Sequence, residues 1–383
     1  MDPRPIAHLI APGSVRAIHQ FVGGCCGGLG FPEHVESIRR TVRAAGMASE
    51  VFAATGDEDW TDLDGIRRAE DFHGFAERSV ILFHALPGSP MLDQIFRRPE
   101  PVMVWHYGLV DPGLWAPWDQ ITAQRWGFLP SALRLLAGRS CLGIGNSIAA
   151  EEELVRMGFP VTATILPFVG VDPSLGHGGS ALATPPDLAT HKAMNRDAGA
   201  QSLPAGGPRW ISIGGIAPHR RLEMVIAGFA AYRAAYAEGI LRIAGPVEER
   251  GYANSLSRFA EEIGLGGEVE LLDTGPAMAR AAEVLKEADV LVTAGREATA
   301  GAMAVAGAMC VPVVSTDGTG GFQIPPGAGI MAAAVRRVLC DRDFASSVIE
   351  SGARDAASRS PQGTRATWWR VLERVTGQLP AAA

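Results

Sequence analysis

The chain has 383 residues, which is more than one ordinary hydrophobic core accommodates, and 47% of them are hydrophobic, enough to fill two cores. Its formal net charge is −7, from 34 basic and 41 acidic residues, and it has no lysine-rich block, which argues against nucleic acid as a partner. We see neither a signal-peptide pattern nor a run of about 18 apolar residues, so we expect no membrane span. Five cysteines without a CxxC pair favour a reduced, cytoplasmic setting: Cys25, Cys26, Cys141, Cys310 and Cys340.

The first half of the chain opens with strand patterns and a glycine-rich loop. Strands are predicted over residues 6–10 and 16–22, and the second runs into GGCCGGLGF, which is followed by a helix pattern over residues 32–45. Glycines in such a loop let the backbone approach a ligand closely, and the helix N-terminus behind it favours an anion. The loop lacks the spacing of a P-loop or a GxGxxG fingerprint, so a plain tight turn stays open as the alternative.

Two further strand patterns each end in a histidine. The apolar runs over residues 79–83 and 102–105 lead to His84 and His106. Because ligands of parallel sheets bind at the carboxyl ends of strands, we expect both imidazoles to face one site, with structural hydrogen bonding as the alternative. The other elements predicted in this half are strands over residues 50–53, 142–144 and 164–168 and helices over residues 129–137 and 149–157.

The α/β alternation stops in a segment rich in Gly, Ala, Pro and Ser, residues 173–208, and then restarts. The second series comprises strands over residues 210–213, 239–244, 269–272, 290–292 and 311–314 and helices over residues 222–236, 252–263, 278–288, 330–340, 342–356 and 365–375. Two such series predict the α/β class, with two doubly wound Rossmann-like domains facing a central cleft. We place these domains at residues 1–172 and 209–358.

One carboxylate stands at the most informative crossover of the second domain. In the stretch 289–321, DVLVTAGREATAGAMAVAGAMCVPVVSTDGTGG, an apolar strand pattern passes into a small-residue helix at Glu297 and then into a second strand. A glutamate at this point can accept hydrogen bonds from a polyol, beside a helix N-terminus that binds an anion. The alternative is that Glu297 only supports the first helical turn through the helix dipole.

Several segments of the second domain occur in an order that resembles a known family. They are GGIAPHRRLEMVIAGFAAYR, LRIAGP, LKEADVLV and GREATAGAMAVAGAMCVPVVS, and the resemblance covers residues 210–314. The order is similar to that of the retaining GT-B glycosyltransferases of family 4, which read G-R-x4-K, then L-x-I-x-G, then E-x7-E followed by G-x-P-V-V. In the first domain, WHYG and GNSIAAEEELVRMGF are similar to further segments of that family.

Four positions depart from the family pattern. Gly215 stands at the family arginine and Arg220 at the family lysine. Val305 stands at the second glutamate of E-x7-E, whose first is Glu297, and Cys310 stands at the glycine before P-V-V. Arg220 keeps a cation for the leaving diphosphate, whereas a glycine loses one and a valine cannot accept a hydrogen bond from a ribose hydroxyl. Each lost charge-assisted hydrogen bond is worth about 1.5–3 kcal/mol, which predicts a weaker donor site or a changed donor.

The resemblance implies a glycosyltransferase that moves a sugar, with retention, from a nucleotide diphosphate sugar to an acceptor hydroxyl in glycan, glycolipid or glycosylated natural-product biosynthesis. It implies a UDP- or GDP-sugar as co-substrate, no tightly bound cofactor, no metal, and a sugar, lipid-linked or small-molecule acceptor. The catalytic residues that it implies are His106, Arg220 and Glu297. The donor and phosphate side comprises Gly214, Gly215, Arg220, Gly245, Ala300, Gly301 and Val305, and the acceptor side comprises Gly27, Gly28, Gly30, His84 and Tyr107. A C-terminal helix and tail, residues 359–383, is expected to pack back on the first domain.

Two other functions stay open. Because the departures fall together in the donor motif, the chain is also consistent with a catalytically weakened or inactive GT-B homologue that acts as a binding or partner subunit. An epimerase or phosphorylase of the same group is the third hypothesis, with Glu33 and Glu36 as the carboxylates that an epimerase would need. The lack of a predicted membrane span leaves room for peripheral association with the inner membrane face, beside a cytoplasmic location.

Overall fold

The computed structural model describes residues 15–23, 31–54, 65–72, 78–166, 207–236, 238–274, 278–295, 300–316 and 320–376. These residues form two compact units. Unit 1 holds the described residues up to 166 together with residues 361–376, and unit 2 holds residues 207–360. The predicted strand over residues 6–10 and most of the predicted linker lie outside the described residues, so the domain boundaries taken from the sequence stay predictions.

Unit 1 is built on a sheet of seven parallel strands in the part of the chain that the structure describes. The strands are β1 (Ala17–Val22), β2 (Val51–Ala53), β3 (Ile66–Arg68), β4 (Ser79–Ala85), β5 (Val102–His106), β6 (Ser140–Gly145) and β7 (Thr162–Thr164). Every residue of β1, β4, β5 and β6 is buried, as expected for parallel strands covered on both faces. The order across the sheet is β3-β2-β1-β4-β5-β6-β7, so the winding reverses between β1 and β4, which is where such sheets bind ligands.

Among the described residues up to 166, unit 1 has five α-helices, of which the last three begin at a side-chain N-cap. They are α1 (Phe31–Ala44), α2 (Leu92–Arg97), α3 (Pro112–Trp115), α4 (Gln120–Ala137) and α5 (Ile148–Arg156). At the start of α4, the Asp119 carboxylate accepts hydrogen bonds from the backbone N–H of Ile121 at 2.9 Å and of Thr122 at 3.2 Å. At the start of α5, the Ser147 hydroxyl accepts one from Ala150 N at 3.2 Å, which fixes the helix close behind β6.

Unit 2 contains a second parallel sheet, with six strands among the described residues. Its strands are β8 (Arg209–Ile213), β9 (Ile240–Gly245), β10 (Val269–Asp273), β11 (Val290–Thr293), β12 (Val313–Ser315) and β13 (Phe322–Gln323). Its helices are α6 (Leu222–Ala235), α7 (Arg250–Glu262), α8 (Met278–Leu285), α9 (Ala300–Ala308), α10 (Ala328–Cys340) and α11 (Arg342–Ser358). The order β10-β9-β8-β11-β12-β13 is that of a Rossmann sheet, whose winding reverses between β8 and β11.

The last helix, α12 (Pro361–Thr376), belongs to unit 1 although it follows unit 2 in the chain. Trp368 of this helix is 1% exposed and stacks on Trp105 of β5, with ring centroids 5.5 Å apart and ring planes at 27°. Val371 and Leu372 lie in the same hydrophobic cluster. The core of the first unit is therefore completed by the last part of the described chain.

Two described residues other than glycine adopt a positive φ, Arg221 at 51° and Cys310 at 57°. Cys310 follows α9, and its backbone N–H donates to Gly307 O at 3.2 Å. The next backbone N–H, that of Val311, donates to Ala306 O at 2.8 Å. This pair of bonds is the Schellman arrangement, in which the residue behind the helix takes the left-handed conformation and is usually glycine. The geometry explains why glycine is the favoured residue here and means that the cysteine is strained.

The predicted strand over residues 164–168 is wrong in position, because the strand lies at Thr162–Thr164. Both of these threonine hydroxyls donate to the Glu151 carboxylate of α5, at 2.9 Å for Thr162. β7 is an edge strand with half-buried polar side chains, so an apolar run is a poor guide to it. The elements β3, β13, α2 and α3 have no predicted counterpart and are short. No described helix is long and apolar enough to cross a membrane.

Candidate functional site

Glycines follow or end three neighbouring strands at the reversal point of unit 2. Gly245 closes β9, and a Cβ placed there would lie 1.9 Å from the carbonyl oxygen of Gly214, which follows β8. A Cβ on Gly295, which lies behind β11, would lie 2.3 Å from the carbonyl oxygen of His219 and 2.5 Å from Cα of Arg220. Only glycine permits these backbone approaches, so the turn that carries Arg220 packs directly against the strand ends.

This turn places the Arg220 guanidinium beside the backbone of Gly214. Arg220 is buried, and its Nη1 would lie 3.0 Å from a Cβ on Gly214. The helix α6 begins just behind it, at Leu222. A buried cation, a glycine backbone and a helix N-terminus therefore share one strand edge, an arrangement that favours an anion such as a phosphate. Burial, and secondly the Arg220 charge, lowers the pKa of His219 well below its usual value, so this imidazole adds no positive charge.

The first turn of α6 is held by a tyrosine from the next helix. The backbone N–H of Leu222 donates to the Tyr252 hydroxyl at 2.8 Å, and that hydroxyl donates to Glu223 Oε2 at 2.7 Å. Glu223 also pairs with Arg221 Nε at 3.0 Å. Burial, and then the neighbouring Glu223 charge, raises the pKa of Tyr252, which keeps the proton on the phenol. One backbone N–H at the N-terminus of α6 is therefore already hydrogen-bonded within the protein.

A carboxylate absent from the sequence-predicted site lies at the same strand edge. A Cβ on Gly215 would lie 1.7 Å from Glu248 Oε1, so the Glu248 side chain fills the space beside Gly215. The loops behind β8 and β9 are joined by Ile216 N, which donates to Pro246 O at 2.7 Å. The signal for this residue in the sequence is an acid close behind the Gly-Pro pair that ends a strand pattern.

The other predicted donor-side residues lie in or before α9. Glu297 is outside the described residues, and Ala300 and Gly301 begin the helix. Val305 is completely buried in a core cluster of unit 2 that also contains Leu291 of β11. Its side chain packs into the core, and its place on the donor side stays a prediction.

In unit 1, His84 lies in a directed chain of hydrogen bonds at the carboxyl end of β4. Gln20 Nε2 donates to Val35 O at 3.0 Å, which leaves Gln20 Oε1 facing His84 Nε2 at 3.1 Å. Because an amide oxygen only accepts, His84 Nε2 carries the proton, and Nδ1 accepts from the Tyr107 hydroxyl at 2.6 Å. The chain fixes the tautomer of His84, and the Tyr107 oxygen can only accept a hydrogen bond from any further group.

His34 of α1 packs beside this chain. Its ring centroid lies 4.6 Å from that of Trp105 and 6.3 Å from that of His84. Burial lowers the pKa of His34 to about 3. Burial, and secondly the nearby His34, lowers the pKa of His84 well below its usual value. Both imidazoles are therefore neutral at pH 7, and His84 supplies hydrogen bonds without charge.

His106 points to the opposite face of the unit 1 sheet from His84. In the register of β4 with β5, His84 pairs with Trp105 and His106 pairs with Ala85. Because successive side chains of a strand project from opposite faces of the sheet, the two imidazoles lie on opposite faces. That both histidines face one site stays a prediction. His106 is fully buried, with Nε2 at 2.9 Å from a carboxylate oxygen of Glu153 in α5. Its Nδ1 has no hydrogen-bond partner among the described residues.

The predicted glycine-loop residues Gly27, Gly28 and Gly30 lie outside the described residues. The described strand before them, β1, ends at Val22, at the reversal point of the sheet. Within the described ranges, no group of three or more His, Cys, Asp or Glu side chains could hold a metal ion.

Comparison with known proteins gives a match at the level of structure. No family model matches the chain, and no curated protein matches it. The sucrose-phosphate synthase of Thermosynechococcus elongatus is 16% identical, with a TM-score of 0.68 over 94% of this chain and 99% of that one. HepE of Anabaena, solved in complex with UDP and glucose, is 13% identical, with a TM-score of 0.64 over 94% of this chain and 100% of that one.

A third similar structure is the trehalose-6-phosphate synthase OtsA, which is 11% identical, with a TM-score of 0.62 over 94% of this chain and 99% of that one. At such identities the similarity establishes the fold. Both sheets of this chain are parallel, and the described strands of each follow a doubly wound order. The chain therefore has the GT-B fold, in which two parallel-sheet α/β units follow one another.

Proposed function

We propose that the chain is a glycosyltransferase that transfers a sugar from a nucleotide diphosphate sugar to an acceptor hydroxyl, with retention of anomeric configuration. The observation that carries the proposal is the buried Arg220, which lies beside the Gly214 backbone and the α6 N-terminus. This is the point at which a Rossmann-type sheet binds phosphate. Support for a UDP-sugar as donor comes from the similar structure of HepE, which was solved with UDP and glucose.

The proposed chemistry needs little beyond positioning and charge. The bond between the sugar C1 and the diphosphate oxygen breaks, a bond between C1 and the acceptor oxygen forms, and the proton of the acceptor hydroxyl passes to the departing diphosphate. Arg220, already fixed by its packed turn, would neutralise the charge that builds on the diphosphate. Glu297 would bind sugar hydroxyls. His106 stays a predicted contact of the transferred sugar and would use Nδ1, because Nε2 is engaged by Glu153.

On the acceptor side, we propose the pair His84 and Tyr107. The Tyr107 hydroxyl donates to His84, so its oxygen is oriented to accept a hydrogen bond from an acceptor hydroxyl. The acceptor would be a sugar, a lipid-linked sugar or a small molecule. A cytoplasmic location, with or without peripheral membrane association, stays a prediction, as does a role in glycan, glycolipid or natural-product biosynthesis.

Nucleotide binding tests the proposal directly. We expect UDP or GDP at millimolar concentration to raise Tm, because a ligand at about 100 times its Kd adds about 2.7 kcal/mol of stability. Arg220→Ala should abolish the shift, whereas Arg220→Lys should keep part of it, since a point charge remains. The melting temperatures without nucleotide show whether both variants fold. A chain that none of UDP, GDP and TDP stabilises would contradict the proposal.

An inactive homologue that binds a nucleotide sugar as a partner subunit is the second candidate. The observation that favours it is Glu248, whose carboxylate fills the space beside Gly215 where a cation would assist departure of the diphosphate. Release of free UDP or GDP from a nucleotide sugar separates the two functions. A transferase releases the nucleotide as it transfers the sugar, and a binding subunit leaves the nucleotide sugar intact.

A further inference from the structure

We propose that Glu248 is a charge-selecting residue of the nucleotide site, which disfavours a terminal phosphate more than a phosphate that carries a sugar. It would thereby promote release of the nucleoside diphosphate after transfer. The proposal rests on the glycosyltransferase function given above.

A side chain at position 215 would meet the end of the Glu248 side chain and not the backbone of a neighbouring element. A Cβ at position 215 would lie 1.7 Å from Glu248 Oε1 and 2.5 Å from Cδ, which is closer than real Cβ atoms come to any heavy atom. The preceding Gly214 has a φ of 141°, whereas Gly215 has no positive φ that would require glycine. The Glu248 carboxylate therefore lies where a side chain of residue 215 would lie, and the Arg220 guanidinium lies beside the neighbouring Gly214.

The backbone that carries Glu248 is tied to this strand edge. Glu248 N donates to Ile216 O at 3.3 Å, and Ile216 forms a parallel bridge with Val247. On the other side, the Glu249 carboxylate accepts from Gly251 N at 3.0 Å and caps α7. Glu248 is thus held between a bridged loop and the start of a helix. The residue is exposed, so a ligand at this edge can reach it. Burial around the carboxyl group raises the pKa of Glu248, and the Arg220 charge opposes this shift.

The result is a site with one cation and one anion at neighbouring positions. A phosphate that binds Arg220 also lies near the Glu248 carboxylate, so attraction by one is opposed by repulsion from the other. A phosphate esterified to a sugar carries one negative charge, whereas a terminal phosphate carries about 1.5 to 2 at pH 7. The repulsion therefore weakens the binding of a nucleoside diphosphate more than the binding of a nucleotide sugar. A nucleotide sugar also brings hydroxyls that can donate to the carboxylate.

Affinities for the two kinds of ligand test the proposal. The Kd values of UDP, UDP-glucose, GDP and GDP-mannose are measured by calorimetry with the wild-type, Glu248→Gln and Glu262→Gln chains. Glu262 is exposed at the last position of α7, so its variant removes the same formal charge at the far end of that helix. We expect Glu248→Gln to tighten the nucleoside diphosphate about tenfold and the nucleotide sugar by less than about threefold. Glu262→Gln should change neither.

Three outcomes would count against the proposal. If Glu248→Gln leaves the ratio of the two Kd values unchanged, or weakens both ligands, the proposal is wrong. The glycosyltransferase function would still stand in that case, provided that the wild type binds and Arg220→Ala does not. If neither nucleotide nor nucleotide sugar binds to the wild type or to Glu248→Gln, both proposals fail. The melting temperature of Glu248→Gln without ligand checks that the variant folds.

Discussion

The imidazole of His34 is a buried base that the fold holds in its neutral form. The residue is 2% exposed, and neither ring nitrogen has a hydrogen-bond partner among the described residues. Burial lowers its pKa from the usual 6.5 to about 3. The ring is surrounded by Trp105 and His84, so a proton on it has no acceptor to stabilise it.

We expect His34 to make the protein less stable as the pH falls from about 6.5 toward 3. The unfolded chain takes up a proton on this histidine below pH 6.5, whereas the folded chain does not. The free energy of unfolding therefore falls by up to about 1.4 kcal/mol per pH unit, and the contribution is fully present above pH 6.5. Urea unfolding at pH 7 and at pH 5 measures the loss. His34→Leu, which is uncharged and of similar size, should lose about 2 kcal/mol less between these two pH values. Equal losses in the two proteins would exclude His34 as the cause.

At the scale of single residues, the sequence predicts Arg220 as a site residue but does not predict Glu248. Arg220 follows from the resemblance, because it stands at the lysine of the family's G-R-x4-K segment. The Glu248 side chain lies beside Gly215 although it comes from the loop behind β9, and neither segment alone predicts that contact. The two strand-end histidines show the same limit. Their positions are local information, but the face to which each points depends on the register of β4 with β5.

At the scale of elements, the end of α9 combines a conformation typical of glycine with a cysteine. Cys310 has a φ of 57° and is half-buried, and burial raises the pKa of its thiol, which stays protonated. A residue other than glycine in this conformation costs about 1–2 kcal/mol. Glycine would avoid that cost but lose about 0.5–1 kcal/mol of chain entropy.

We therefore expect Cys310→Gly to raise the free energy of unfolding by about 0.5–1 kcal/mol. Cys310→Ala is the matched control, because it removes the thiol and keeps the strained conformation, and it should give no gain. Urea unfolding of the three proteins under reducing conditions measures the difference. If glycine and alanine have the same effect, the left-handed conformation carries no net strain at this position.

Periodicity predicts most of the long elements but not the short ones, and it gives only the second half, residues 129–137, of the long helix α4 (Gln120–Ala137). The pattern over residues 222–236 predicts a helix that the structure places at Leu222–Ala235, because a continuous apolar face has to meet the sheet. The two-residue strand β13 and the one-and-a-half-turn helix α2 are too short to show a period. They form because neighbouring elements already hold the backbone in place, which is tertiary information.

At the scale of the whole molecule, the restart of the α/β alternation predicts two units, and the structure divides the described chain into two. It is harder to predict from the sequence which residues complete the hydrophobic core of each unit. The return of α12 to unit 1 is expected from resemblance to the GT-B family and not from any local pattern, since an amphipathic helix does not specify its partner. The structure gives the partner as β5, through the stacked rings of Trp105 and Trp368.

This placement makes the stability of unit 1 depend on a residue near the end of the chain. Trp368 is 1% exposed in a cluster with Ile18, Leu82 and Trp105, and replacing a buried tryptophan by alanine costs about 3–5 kcal/mol. Trp368→Ala should therefore destabilise unit 1 by about that amount. Trp369→Ala is the matched control, because the neighbouring ring is only partly buried and should cost clearly less.

Hydrogen exchange locates the effect of Trp368→Ala within the molecule. Amides of β4 and β5, which lie beneath the Trp368 ring and its cluster, should lose protection in this variant before those of β8 and β11, which belong to unit 2. The order follows because opening around the cavity exposes the cluster of unit 1 first. Equal loss of protection in the strands of both units, or a larger loss with Trp369→Ala, would show that α12 does not act mainly through its packing on β5.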